Sequence, residues 1–127
     1  VSYAFSARSL QRLVGVHADL VRVVHRALEI SAVDFVVTEG RRTLTRQKEL
    51  VAAGASKTLN SRHLTGHAVD LAPYIMGQVR WDWPPFYQIA EAMKAAATEL
   101  GVPLIWGGDW ETFKDGPHFE LDRKAYP

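Results

Sequence analysis

Between Val16 and Ile30 the apolar residues Val16, Leu20, Val23, Val24, Ala27 and Leu28 recur at steps of three and four, which predicts a helix with one inward stripe. A shorter helical segment containing Leu10, Leu13 and Val14 precedes it, with Ser6 or Ser9 available as its cap. Asp34 to Thr38 is a β-branched and aromatic run ending in Glu39-Gly40, the pattern of a buried strand entering a turn. Thr43 or Thr45 can cap a helix through about Ala53, stopped by Gly54. Residues Ala55 to Thr65 lack periodicity and read as loop, and Ala68 to Ala72 reads as a buried strand. After an aromatic loop from Tyr74 to Trp83, Asp82 with Pro84 and Pro85 announces a helix whose inward face is Phe86, Ile89, Ala90, Met93, Ala97 and Leu100. Gly101 and Pro103 end that helix, Leu104 to Trp106 forms a strand, Gly107 to Pro117 a loop, and His118 to Leu121 a last strand. The order implies an α+β domain with a small, mainly antiparallel sheet flanked by helices.

A chain of 127 residues fits one domain over 1–127 with one core. Apolar residues make up 47% and charged residues 23%, so the chain reads as an ordinary globular sequence without disordered tracts. Its 15 basic and 14 acidic residues are interspersed, and the net charge of +1 offers no basic stripe to nucleic acid. The segment Val1 to Leu10 carries Ser2, Ser6, Arg8 and Ser9, and no later stretch approaches the roughly 18 uncharged apolar residues of a membrane helix. Neither a signal peptide nor stable membrane association is expected. Cysteine is absent, so any metal must be held by imidazole and carboxylate.

That restriction turns attention to Ser61-Arg62-His63-Leu64-Thr65-Gly66-His67-Ala68-Val69-Asp70, where an aspartate stands inside an apolar strand. An unpaired carboxylate among Ala68, Val69, Leu71 and Ala72 would cost several kcal/mol, on the order of a lost charge-assisted interaction, and a divalent cation offsets that cost directly. Asp115-Gly116-Pro117-His118-Phe119-Glu120 supplies another imidazole where a rigid turn enters a strand, with His118 and Glu120 on one face. Two histidines and a carboxylate form a catalytic zinc set with one position open to water. Asp115 is a candidate base for that water, and Glu120 is held in reserve.

These residues resemble the zinc D,D-/L,D-peptidases of the vancomycin-resistance carboxypeptidase type, and most of all the phage endolysins that cut the L-alanyl-D-glutamate bond. The family signature Ser-x-His-x-x-Gly-x-Ala-x-Asp is filled by Ser61, His63, Gly66, Ala68 and Asp70. The resemblance spans about Asp34 to Leu121 and implies the D,D-peptidase/hedgehog-like zinc peptidase fold, one zinc ion on His63, Asp70 and His118, and an acid/base role for Asp115. Aspartate before the last histidine, and the run Trp106 to Trp110, favour the endolysin branch. The segment Thr38 to Gln47 is similar to the family's Gly-x-Arg region, which implies that Arg42 rather than Arg41 faces the site, to hold a substrate carboxylate or the oxyanion.

The expected activity is therefore hydrolysis of the peptidoglycan stem peptide between L-alanine and D-glutamate. The expected setting is phage-driven host lysis by a monomer that waits in the host cytoplasm and needs a membrane-permeabilising protein to reach the periplasm and wall. A D,D-carboxypeptidase removing terminal D-alanine is the rival within the same chemistry, and a non-catalytic, zinc-stabilised wall-binding domain is the rival outside it. Plainer roles also exist for each residue: His63 as a loop histidine, Asp70 paired with a buried arginine, His118 as a plain strand residue, and Asp115 shaping the turn. A helical His63/His67 metal pair is rejected because no glutamate follows His63 and Gly66 breaks the helix. His67 is expected at the surface or behind the ligands, His17 and His25 on the scaffold helix, and the tryptophans in the core or the cleft wall.

Overall fold

A computed structural model describes residues 3–127, so Val1 and Ser2, which belong to the expected 1–127 domain and to the segment read for a signal peptide, lie outside the described residues. Helix α1 spans Ala7–Arg12 and starts where the Ser6 hydroxyl accepts from the Ser9 N–H. Its inward residue is Ser9, whose Oγ accepts from the Val37 N–H, while Leu10 and Val14 are exposed. The apolar spacing holds for Leu13, which caps the helix and is buried in the core, and misleads for Leu10 and Val14, because so short a helix, fastened through a hydroxyl, needs no continuous apolar stripe. Helix α2, Ala18–Ile30, buries Leu20, Val23, Val24, Ala27 and Leu28. His17 stands outside it as the cap, its Nδ1 accepting from the Asp19 N–H, so the helix begins two residues later than the periodicity from Val16 predicts.

Strand β1 covers Phe35–Glu39, and helix α3, Leu44–Ala52, starts at the Thr43 cap and stops before Gly54. The stretch expected to be loop ends in a 3-10 turn, Arg62–Thr65. Strand β2 runs Ala68–Ile75 and pairs through a two-residue turn with β3, Gln78–Val79, inside what reads as aromatic loop. Met76 and Gly77, with φ of 53° and 78°, make that turn, and methionine carries none of the usual hairpin signal.

Helix α4, Trp83–Leu100, begins with its prolines at the first turn and ends at Gly101 in the left-handed region. Asp82 occupies the cap position without a side-chain cap bond and pairs with Arg80 instead. Phe86, Ile89 and Met93 are buried along its inner face, each contributing roughly 1.5–3 kcal/mol of burial. Strands β4, Leu104–Trp106, and β5, His118–Leu121, complete an antiparallel sheet of order β1-β2-β5-β4 with β3 on β2.

Helices α2 and α4 pack on each other, α4 packs on β2, and Val37, Val69, Leu71, Phe119 and Leu121 meet them in the core. Strand alternation then turns the intervening residues to the other face, and register decides which of them meet. Asp70 stands directly opposite His118 on β5, and a bulge at Thr38 lets Glu39 rather than Thr38 oppose Asp70 on β1. Were the pairing regular, Thr38 would oppose Asp70 and Glu39 would turn toward the core face.

Candidate metal centre

Each fixed place of the Ser61-to-Asp70 segment has a local cause. The Ser61 hydroxyl accepts from the His63 N–H and starts the 3-10 turn. Gly66 ends it at φ 76°, and a Cβ there would stand 2.3 Å from the Gly15 carbonyl oxygen, so only glycine lets the two loops meet. Ala68 is fully buried across from Glu120, where a larger side chain has no room. The turn delivers His63 and the strand delivers Asp70 to one point.

There, Asp70 Oδ1 lies 3.3 Å from His63 Nε2 and 3.4 Å from His118 Nδ1. Neither contact is directed as a hydrogen bond, and this buried oxygen has no hydrogen-bond partner among the described residues. The outer ring nitrogens are engaged: His63 Nδ1 is 2.8 Å from the Gly40 carbonyl oxygen, and His118 Nε2 is 2.8 Å from Glu120 Oε1. Each ring therefore donates outward, so that in the neutral imidazole the inner nitrogen is the acceptor a metal ion would take. The three inner atoms lie within 4.8 Å of one another and can hold a metal ion. For a tetrahedral ion with bonds of about 2.0–2.2 Å, neighbouring donor atoms stand about 3.3–3.6 Å apart, the spacing that Asp70 shows to both imidazoles. The orphaned oxygen, the spacing and the oriented rings all fit one divalent cation.

Burial by itself would raise the pKa of Asp70, but the two imidazoles, His118 foremost, outweigh it and hold the carboxyl well below the usual range. Burial opposes charge on His118 as well, and Asp70 and Glu120 overcome it to push the imidazole up to about 9, so that a metal ion takes the place of a proton on its inner nitrogen. Asp115 behaves differently. Burial, reinforced by the negative charge of Asp70, raises its pKa, and its side chain takes part in no hydrogen bond or ion pair among the described residues. Glu120 is pulled down by its bond to His118, against burial. Of the two acids near His118 besides Asp70, Asp115 is thus free to exchange a proton, while Glu120 serves as the imidazole's partner.

All these groups line one cleft of about 550 Å³ that also takes in Arg42 and Trp110. Arg42 is 9% exposed; its Nε and Nη2 donate to the two oxygens of Glu39, its Nη1 donates to Gln47 Oε1 at 2.6 Å, and Nη2 stands 3.8 Å from Asp70 Oδ2. Arg41 is exposed and lies against Gly15, outside the cleft lining. His67 is half-buried with Nδ1 2.7 Å from the Thr65 hydroxyl, His17 lies beside it, and His25 is exposed, all away from the ligand atoms. Trp106 is core and donates to the Gly116 carbonyl at 2.7 Å, whereas Trp81 and Trp83 are largely exposed. Sequence reasoning missed the clamp on Arg42. Gln47 is fully buried on a helix whose other residues are mostly exposed, yet a glutamine in a polar helix carries no signal of that burial. The Gly40 carbonyl behind His63 is equally invisible, since any residue has one.

A sequence model of the phage L-alanyl-D-glutamate peptidase family matches residues 1–126. The L-alanyl-D-glutamate peptidase of Escherichia phage T5 is 37% identical over 99% of this chain and 94% of its own length. The peptidoglycan L-alanyl-D-glutamate endopeptidase CwlK of Bacillus subtilis is 30% identical over 88% of this chain and 73% of its own length. Among solved structures, the L-Ala D-Glu endopeptidase ChiX of Serratia marcescens is 54% identical with a TM-score of 0.92, covering 97% of this chain and 92% of that one. The vancomycin-resistance D,D-dipeptidase VanXYg, at 20% identity and a TM-score of 0.56 over 84% of this chain and 50% of its own, shares the fold.

Proposed function

The chain belongs to the phage L-alanyl-D-glutamate peptidase family, and from that premise we propose that it is a zinc peptidase cutting the peptidoglycan stem peptide between L-alanine and D-glutamate. The observation that carries this reading is the convergence of His63, Asp70 and His118 around an orphaned carboxylate oxygen, with an unbonded acid, Asp115, lining the same cleft. Zinc suits a set of two imidazoles and one carboxylate without thiolate, and when bound it supplies the Lewis acidity that polarises a peptide carbonyl and acidifies water.

The chain's own residues do the rest. Gly40 and Glu120 hold the two imidazoles in the tautomer that turns a lone pair inward. The Asp115 carboxylate accepts a proton from the attacking water and returns it to the departing amine, a cycle that suits an acid whose pKa burial has raised. Arg42, clamped by Glu39 and Gln47, places a fixed positive charge beside Asp70 that steadies the negative charge developing on the carbonyl oxygen. Relatives of both phage and bacterial origin carry the same activity in their names, so the bond is supported more broadly than the setting. Host lysis by a monomer, released from the cytoplasm by a membrane-permeabilising partner, is the setting we propose. None of the described helices is long and apolar enough to cross a membrane.

Purified muropeptides incubated with the enzyme and weighed by mass spectrometry test the bond. Peptides beginning at D-glutamate, with alanine left on the sugar, are expected. Release of terminal alanine alone would identify a D,D-carboxypeptidase, and unaltered masses with full zinc content would identify a wall-binding domain.

A further inference from the structure

Two guanidinium groups on the wall of the cleft form no ion pair among the described residues. Arg62, in the 3-10 turn beside His63, is 8% exposed, and its Nη2 donates to the carbonyls of Leu121 at 3.2 Å and Tyr126 at 2.6 Å. Its Nε is buried without any partner, and the residue forms no ion pair among the described residues. Arg123, just beyond β5, is exposed, lines the same cleft and is likewise unpaired among them. Burial, and after it the charge of Arg123, work against the charge on Arg62. Glu120 attracts both cations, yet its carboxylate is engaged by His118 Nε2. Arg42, the remaining guanidinium of the cleft, is already satisfied by Glu39 and Gln47.

A charge nine-tenths buried without an ion-pair partner is costly, and two adjacent like charges compound the cost. A carboxylate in the cleft offsets both, because exposed Arg123 can present a paired N–H fork to it, while Arg62, its Nη2 spent on two carbonyls and its Nε enclosed, adds its charge and its remaining Nη1. We propose that Arg62 and Arg123 form a carboxylate subsite that holds the free carboxylate of the glutamate residue on the leaving side of the cut bond. The inference rests on the L-alanyl-D-glutamate reading above. A glutamate residue uses one carboxyl to continue the chain, so the other remains ionised a few bonds from the nitrogen released by cleavage, close to the catalytic cluster. The same contact selects against a residue whose second carboxyl has been converted to an amide, since an amide turns a donor pair toward the guanidinium.

The test uses two muropeptides identical except that this carboxyl is free in one and a carboxamide in the other. The wild-type enzyme should cleave the acid with a kcat/KM about tenfold or more above that of the amide. Arg123→Gln, at an exposed position that does not endanger folding, should bring the ratio within about threefold of unity, and Arg62→Gln should lower the ratio in the same direction by removing the second charge. Equal cleavage of both peptides by the wild type, or an Arg123→Gln loss equal for the two, overturns the subsite while leaving the bond assignment intact. Cleavage of both peptides at another bond overturns the assignment and the subsite together.

Discussion

At the scale of single residues, the centre shows how one carboxylate oxygen can be placed where no group among the described residues donates a hydrogen bond to it. Asp70 Oδ1 is buried with no hydrogen-bond partner among the described residues, and the two imidazoles beside it favour the charged carboxylate, an arrangement suited to a cation. Asp115 is its counterpart, an acid whose burial and like-charged neighbour resist ionisation. Replacing it with the isosteric amide removes the proton carrier without touching a ligand. Asp115→Asn should lower kcat/KM by about 10²–10⁴ while zinc content, measured by atomic emission, stays at the wild-type level. Its unfolding midpoint should equal or exceed the wild-type value, because a poorly compensated charge has been removed. Full activity in this variant would take Asp115 out of the mechanism. His63, Asp70, His118 and Asp115 are legible as candidates in the amino-acid sequence, since a histidine at a turn, an acid inside an apolar strand and a Gly-Pro entry are local features. The partners of Arg42 are not, because Glu39 and Gln47 become neighbours only through a bulge and a helix face.

At the scale of elements, most boundaries follow from periodicity and capping, and the departures share a cause. Where a turn is made by residues with strong preferences, as at Thr43, Gly54 and Gly101, expectation and structure coincide. Where the turn is made by an unusual residue, the element goes unseen. The β2–β3 hairpin is the clearest instance: Met76 adopts φ 53° in a two-residue turn, a conformation that costs a side chain with a Cβ and that asparagine tolerates best. Met76 is 96% exposed, so exchanging it sacrifices no packing. Met76→Asn should stabilise the protein by roughly 0.5–1 kcal/mol, seen as a rise of about 2–4 °C in the thermal midpoint, with peptidase activity unchanged. A midpoint that stays level or falls would show that the turn carries no such strain.

At the scale of the whole molecule, the ligands arrive from a turn, from β2 and from β5, so a bound ion ties segments together that are distant in sequence. A ligand that binds only the folded state stabilises it in proportion to its saturation, about 2.7 kcal/mol at a hundred times the dissociation constant. Chelation should therefore lower the thermal midpoint by several degrees and abolish turnover, with zinc but not magnesium restoring both. A His63→Ala protein should melt at the same temperature with or without chelator, and a wild-type midpoint insensitive to chelation would argue against the site. The class of fold, the core stripes of α2 and α4, and the candidate ligand and proton-carrying residues are written in the amino-acid order, because periodicity, capping and a buried charge are properties of neighbouring residues. Only the tertiary structure decided which ring nitrogens face inward, that Glu120 supports His118 while Asp115 stays unbonded, and that Arg62 and Arg123 stand uncompensated beside the cleft. Those outcomes depend on strand register and on the approach of distant segments, 59 residues apart in the case of Arg62 and Leu121. One slipped residue in the β1–β2–β5 pairing would change every one of them.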